Sequence, residues 1–244
     1  MAEPPPTARF PTTHWSRVVS AADPAAPGAC EALAELCATY WYPLYAFIRR
    51  QGQSPEAAAD LTQDYFARLL EKGVLAAADQ GRGRFRAFLR TDCGFFLAHR
   101  RDRDHAMKRG GGIVRLSIDA RDAEGRYLRE PADSLTPERL FDRSWALTLL
   151  DSVLARLARE YADSGRAALF ERLEGVLTGG PRAESYAAIA AQLGMTEGAV
   201  QAAVQRLRQR YRAILREQIA VTLDDPSEAA IDEEIHAMFS GLGR

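Results

Sequence analysis

The stretch SYAAIAAQLGMTEGAVQAAVQRLRQRYRAILR, residues 185–216, decides the fold, because it predicts two helices joined by a glycine turn. Ser185 and Thr196 are residue types that cap helix N-termini, and Gly194 can take the left-handed conformation that ends the first helix. In the second helix, apolar residues recur at alternating spacings of four and three, which places them on one buried stripe. That stripe comprises Val200, Val204, Leu207, Tyr211 and Ile214. We therefore predict a helix-turn-helix.

The face of the second helix away from this stripe is rich in amide and guanidinium groups. When a helix enters the major groove of DNA, amides can pair with adenine, and arginines with guanine or phosphate. The residues that we expect to contact DNA are Thr196, Glu197, Gln201, Gln205, Arg206, Arg208 and Arg212. The competing interpretation is an ordinary helical hairpin whose arginines are only solvated.

Composition allows one large domain or two small ones within the 244 residues, and a hydrophobic content of 47% can bury a core. The net charge of −1 hides a strong asymmetry. Between Arg82 and Arg109, nine Arg or Lys oppose three Asp, a balance of +6. From Glu217 to the end, one Arg opposes seven acids, a balance of −6. Basic segments in a neutral chain indicate local contact with nucleic acid.

Cysteine and histidine usage argues against metal or disulfide chemistry. The three cysteines cannot all pair, and neither they nor the four histidines form a ligand cluster. We expect no metal, no cofactor and no catalytic residue. A signal sequence and an apolar run long enough to cross a membrane are both lacking, so we expect a cytoplasmic protein without membrane insertion.

The N-terminal half reads as a series of helices after a proline-rich, mobile segment at residues 1–11. From about Ala29, a helix leads into the aromatic cluster at residues 41–45, for which core packing is favoured over a base-stacking platform. Ser54-Pro55-Glu56 predicts a helix start. Its buried side should comprise Leu61, Tyr65, Phe66, Leu69 and Leu70. The polar positions left for solvent or a partner are Asp60, Gln63, Asp64 and Arg68.

The most basic helix is predicted from Phe85 to about Met107. Its second half, AHRRDRDHAMKRG, has almost no large apolar residue, so it needs either solvent or an anionic partner such as a nucleic-acid backbone. Gly110-Gly111-Gly112 then predicts a boundary, and residues 113–135 read as a linker with a brief extended piece. Helical patterns resume at Pro137 and form a four-helix unit that ends near residue 216. The chain is thus predicted to be all-α, with two small domains joined by a flexible linker.

Three segments, in this order, resemble the extracytoplasmic-function group of bacterial RNA polymerase sigma factors over about residues 12–217. They are DLTQDYFARLL (60–70), the segment from RGRFRAFL to KRG (82–110), and SYAAIAAQLGMTEGAVQAAVQRLRQRYR (185–212). TTHWSRV (12–18) and LCATYWYPLYAFIRRQG (36–52) resemble one branch of that group. The function that this resemblance implies is binding of core polymerase, promoter recognition and DNA opening, with no bond chemistry.

The resemblance also implies roles for particular segments. Residues 12–109 would form a sigma region 2-like domain, residues 110–136 a linker, and residues 137–217 a region 4-like domain that binds the −35 element and the polymerase β flap. Residues docking on the polymerase β′ clamp would be Asp60, Gln63, Asp64 and Arg68. Residues contacting the −10 element would be Arg86, Arg100, Arg101, Arg103, Lys108 and Arg109. An anti-sigma factor or another regulator is a further expected class of partner.

Two other functions compete with this one. A self-sufficient helix-turn-helix regulator would bind DNA as a dimer on two half-sites. A nucleic-acid enzyme would need clustered carboxylates or a metal site. Asp102 and Asp104 are poor candidates for metal ligands, because arginines surround them in the sequence.

The acidic tail, residues 218–244, lies beyond the resemblance. Ile231, Ile235, Met238 and Phe239 fall on one helical face. Two hypotheses follow: the tail folds back and restrains DNA engagement, or it is a disordered segment that aids solubility.

Overall fold

The computed structural model describes residues 29–70, 84–106, 120–130, 135–178, 185–223 and 226–242. Within these ranges the helices are α1 (Ala29–Arg50), α2 (Pro55–Leu70), α3 (Phe85–Ala106), α4 (Ala120–Tyr127), α5 (Pro137–Asp163), α6 (Ala167–Thr178), α7 (Tyr186–Leu193), α8 (Glu197–Thr222) and α9 (Glu228–Leu242). No strand occurs in this described part, and the all-α prediction is confirmed. The predicted mobile N-terminus, residues 1–11, lies outside it.

The chain divides into two compact units. Residues 1–148 and 219–244 form unit 1, and residues 149–218 form unit 2. The divisions fall within α5 and α8, and the domain boundaries drawn from the sequence at 109, 137 and 217 stay predictions.

Among the described helices of unit 1, α1 carries the largest share of buried aromatic side chains. Trp41, Tyr42 and Tyr45 are buried, which confirms core packing for the cluster. The Trp41 and Tyr45 rings stack with centroids 5.3 Å apart, and Tyr40 meets the Phe85 ring of α3 edge-on at 5.4 Å. The helix runs unbroken through Pro43. Burial of the flanking aromatic rings offsets the hydrogen bond that an internal proline removes.

Helix α2 packs against α1 and starts where the sequence predicts. The Ser54 hydroxyl accepts a hydrogen bond from the Ala57 amide at 3.2 Å, as an N-cap does. Of the predicted apolar side, Tyr65, Phe66 and Leu69 are buried. Leu61 is only half-buried. The fully buried neighbour is Thr62, whose hydroxyl donates to the Ala58 carbonyl at 2.7 Å and so needs no water.

Part of the predicted linker is the helix α4, which packs on α1 and α2. Glu124 accepts hydrogen bonds from Tyr45 at 2.5 Å and from Arg49 at 2.7 and 2.9 Å. The Arg126 guanidinium lies 4.0 Å from the centroid of the Tyr42 ring. These polar contacts hold residues 120–130 against α1. The sequence of this segment did not predict the packing, because it is poor in large apolar residues.

Unit 2 contains the helix-turn-helix formed by α7 and α8. The Ser185 hydroxyl accepts from the Ala188 amide, and the Thr196 hydroxyl accepts from the Ala199 amide, both at 3.2 Å. Gly194 between them has a φ of 64°, which favours glycine because a Cβ strains this conformation. Both predicted caps and the glycine turn are confirmed.

Candidate promoter and polymerase interfaces

The buried stripe of α8 fixes which side chains that helix presents to solvent. Val200, Leu207 and Ile214 are fully buried, Val204 is buried, and Tyr211 is half-buried. At about 100° per residue, the flank next to this stripe holds amides followed by arginines. The residues of that flank are all exposed: Glu197, Gln201, Gln205, Arg208 and Arg212. Thr196 and Arg206, two further predicted DNA contacts, are exposed as well.

The opposite flank of α8 is tied to α5 by an ion network. Arg210 donates two hydrogen bonds to Glu160, both at 2.7 Å, and a third to Glu217 at 3.1 Å. Arg156 contacts the same two carboxylates at 3.3 and 2.6 Å. The hydrogen bonds from Arg210 lower the pKa of Glu160, and burial opposes them. The arginines of α8 therefore divide into a structural flank and an exposed flank. The sequence did not predict this division, because Glu160 belongs to another helix.

The first half of α3 carries arginines that carboxylates from other helices already contact. Arg86 lies 2.9 Å from Glu234 of α9 and 3.8 Å from Asp142 of α5, and only 11% of its side chain is exposed. Its guanidinium stacks 4.5 Å from the centroid of the Trp145 ring. Arg90 donates a hydrogen bond to Asp142 at 2.5 Å. Arg86 was predicted to contact DNA, and here it is enclosed within unit 1.

Two ion pairs join the predicted polymerase-binding helix α2 to α3. Arg100 lies 2.8 Å from Asp64, and Arg68 pairs with Asp92 through two contacts of 3.2 Å. Asp64, which was predicted to bind polymerase, therefore forms an ion pair with Arg100, which was predicted to contact DNA. Asp60 is exposed, and Gln63 is half-buried.

Phe95 on α3 is 62% exposed, an unusual position for a phenylalanine. The neighbouring Cys93, Phe96 and Leu97 are buried, since they share the face that packs into the core. Helical phase could have found this residue, because at about 100° per residue Phe95 points well away from that face. The helix continues through Arg101 and Arg103, whose side chains lie outside the described part, as do Lys108 and Arg109 altogether.

Metal and membrane sites have no support in the described ranges. There, no group of three or more His, Cys, Asp and Glu could hold a metal ion. Among the same residues, no helix combines the length and apolar character that a membrane span requires.

The succession of a polar-faced α2, a basic α3 and a terminal helix-turn-helix matches one protein family. The family model described as ECF sigma factor matches residues 28–217. The chain belongs to the ECF sigma factor family. As a sigma factor, it is a non-catalytic subunit that directs RNA polymerase in promoter recognition, so its partners are the polymerase core and promoter DNA. No curated protein and no solved structure matches the chain.

Membership in the ECF sigma factor family decides between the functions left open above. A self-sufficient regulator and a nucleic-acid enzyme are both set aside, because promoter recognition by a sigma factor is performed together with polymerase, which supplies the catalysis.

Proposed function

We propose that α8 of this sigma factor reads the upstream, −35-type promoter element through Gln201, Gln205 and Arg208. The observation that carries this assignment is their shared, exposed flank beside an apolar stripe that is buried at four of its five positions. Such a helix can enter the major groove without losing its core contacts, and its amides and guanidinium can reach base edges. We assign a phosphate contact to the exposed Arg212, one turn further on, and Thr196 and Glu197 lie at the N-terminus of the helix.

Transcription by the reconstituted holoenzyme tests this assignment against a library of upstream elements. Replacing Gln201, Gln205 and Arg208 with alanine should change which upstream sequence is preferred. Each lost base contact should cost about 1–3 kcal/mol at its own base step. Arg159→Ala is the matched control, because Arg159 is an exposed arginine of the same unit on α5. An unchanged preference in the triple variant would remove α8 from base reading.

The polymerase contact is proposed for the exposed edge of α2. Asp60 is exposed there, and Gln63 is partly accessible beside it. Asp64 and Arg68 contribute less directly, since Arg100 and Asp92 engage them within the chain. We assign the docking on the β′ clamp to this edge, with Asp60 as its most accessible charge.

Co-purification with core polymerase tests the α2 edge. Asp60→Arg should abolish co-purification while the melting temperature stays nearly unchanged, because the residue is exposed. The matched control is Glu56→Arg, which makes the same charge change at an exposed residue one turn earlier. Retained binding of Asp60→Arg would place the clamp contact elsewhere.

Promoter opening is proposed for α3. Phe95 offers an exposed ring on which an unstacked base can lie, and stacking of this kind is worth about 1–3 kcal/mol per base. Arg100, with 40% of its side chain exposed, lies about one and a half helical turns further along. Arg86, Arg101, Arg103, Lys108 and Arg109 complete the proposed contacts to the −10 element.

A further inference from the structure

The terminal helix α9 packs within unit 1 and buries a carboxylate at the centre of its inner face. The Ser227 hydroxyl caps its start by accepting from the Ala230 amide at 3.2 Å. Ile231, Glu234 and Met238 are buried, at 5%, 1% and 2% exposure. Phe239, expected on this face, is 48% exposed because it lies on the other side of Met238. The buried row thus has an acid where an apolar residue would be expected.

The carboxylate of Glu234 lies between two arginines at the start of α3. Arg84 Nε is 2.7 Å from Glu234 Oε2, and Arg86 Nη2 is 2.9 Å from Glu234 Oε1. Glu233 adds a longer contact of 3.5 Å to Arg84. At the other end of α9, Arg143 donates to the Leu242 carbonyl at 3.2 Å. One acidic side chain therefore occupies two guanidinium groups that could otherwise bind a phosphate.

This attachment is of a kind that a partner can displace. The Glu234 carboxylate loses its hydration when α9 docks, and this burial raises its pKa although both arginines oppose the shift. A buried ion pair adds little net stability for this reason. Ile231 and Met238 are the two buried apolar anchors of the helix, and Ile235 is only half-buried. A helix of 15 residues does not persist alone in water, so release would also unfold it.

The docked position of α9 conflicts with the DNA contact proposed for Arg86. A side chain that is 11% exposed, stacked on Trp145 and paired with Glu234 cannot also reach a DNA phosphate. Removing α9 would free both Arg84 and Arg86 from the Glu234 carboxylate, and would leave Arg86 beside Asp142 and Trp145.

We propose that α9 is an intramolecular competitor of the DNA backbone for Arg84 and Arg86, and that it leaves this site when the chain engages DNA. The inference rests on the proposed −10 contact of Arg86 and adds a regulatory step to it. A docked fraction of about nine in ten lowers the apparent affinity for DNA about tenfold.

Binding of a fluorescein-labelled single-stranded oligonucleotide of mixed sequence to the full chain at low salt tests the competition. Phosphate contacts carry no sequence information, so an arbitrary strand suffices. Met238→Asp releases α9 while making the chain more acidic, which by itself would weaken binding. Glu234→Lys releases it by repulsion from the two arginines. Asp232→Lys is the control, with the same charge change at an exposed residue of the helix.

Competition predicts about tenfold tighter binding for Met238→Asp and for Glu234→Lys, and a smaller gain for Asp232→Lys. Replacing both Arg84 and Arg86 with alanine should abolish the gain in the released chains. Circular dichroism confirms folding, and hydrogen exchange of residues 228–242 reports release. If Glu234→Lys does not fold, Met238→Asp alone decides. No gain in Met238→Asp, with α9 open by exchange, would overturn the proposal.

The failure of this inference can be told apart from the failure of the proposed −10 contact. The comparison uses the Met238→Asp chain with and without the two arginines. If the alanine changes weaken oligonucleotide binding there but release brought no gain, Arg86 contacts DNA and the competition is wrong. If the alanine changes leave binding untouched in the released chain, both the contact and the competition are wrong.

Discussion

In α3 of unit 1, Arg86, Arg90 and Arg100 each lie against a carboxylate of another helix, whereas in α8 of unit 2, Arg208 and Arg212 are exposed. Both helices are basic and amphipathic, so the sequence predicts DNA contact for both. The difference lies in what holds each helix. An apolar stripe and the Arg210–Glu160 ion network hold α8, and its other flank stays exposed. Helix α3 is held by rings and by ion pairs that use the charges a nucleic acid would need.

The largest expected effect comes from removing apolar packing under α8. Leu207 is fully buried, so Leu207→Ala should destabilise unit 2 by about 2–5 kcal/mol through lost burial and the cavity left behind. Chemical denaturation followed by hydrogen exchange measures the loss in α8. Gln205→Ala, an exposed change two residues earlier, should stay within about 0.5 kcal/mol. Similar losses for the two variants would mean that the apolar stripe does not hold α8.

A smaller effect is expected from the ion network of unit 2. Arg210→Ala removes the paired hydrogen bonds to Glu160, but 38% of the Arg210 side chain is exposed and solvent screens the pair. We expect a loss of about 0.2–1 kcal/mol that shrinks as salt is added. Denaturation at low and high salt measures it, with Arg212→Ala as the exposed control. A loss that is large and independent of salt would show that packing of the Arg210 side chain, rather than its charge, supports α8.

The smallest expected effect is the change in helix stability with pH, and it should have opposite signs for α8 in unit 2 and α9 in unit 1. The pKa of Glu160 is lowered in the folded state, so its contribution is present above its ordinary value of 4.5 and is lost as pH falls through the lower, folded value. The pKa of Glu234 is raised, mainly by burial, so acidification favours the docked, protonated form. Arg84 and Arg86 oppose that shift, whereas Asp142 and Glu233 add to it.

Hydrogen exchange of individual helices, followed from neutral pH to about pH 4, separates the two signs. Protection of α8 should fall and protection of α9 should rise relative to the rest of unit 1. Glu160→Gln should remove the pH dependence of protection in α8, and Glu234→Gln should remove it in α9. If protection of α8 and α9 changed in the same direction with pH, Glu160 and Glu234 could not have the opposite pKa shifts described.

Local signals explain why the helix-turn-helix was predictable. The helix caps bond amides three residues away, as Ser185 and Thr196 do, and Gly194 acts through its own dihedral angles. Both partners of each interaction therefore lie in one short stretch of sequence. The exposed reading face follows from the same periodicity. Its DNA contacts stay predictions.

Contacts between distant segments explain what was not predictable. The sequence marked α9 as amphipathic but placed Phe239 inside and gave no reason to bury Glu234, because its partners are the distant Arg84 and Arg86. Helix α4 was missed for the same reason, since Arg49 and Tyr45 fix Glu124 from α1.

The turn at Gly194 has a consequence for chain chirality. Its φ is positive, and a Cβ built there would have no atom within 4 Å, so an L-residue is disfavoured by backbone handedness alone and not by crowding. A D-alanine introduced by chemical ligation would favour this conformation and reduce the freedom of the unfolded chain. The helix-turn-helix therefore contains a position where the mirror-image residue is the better fit.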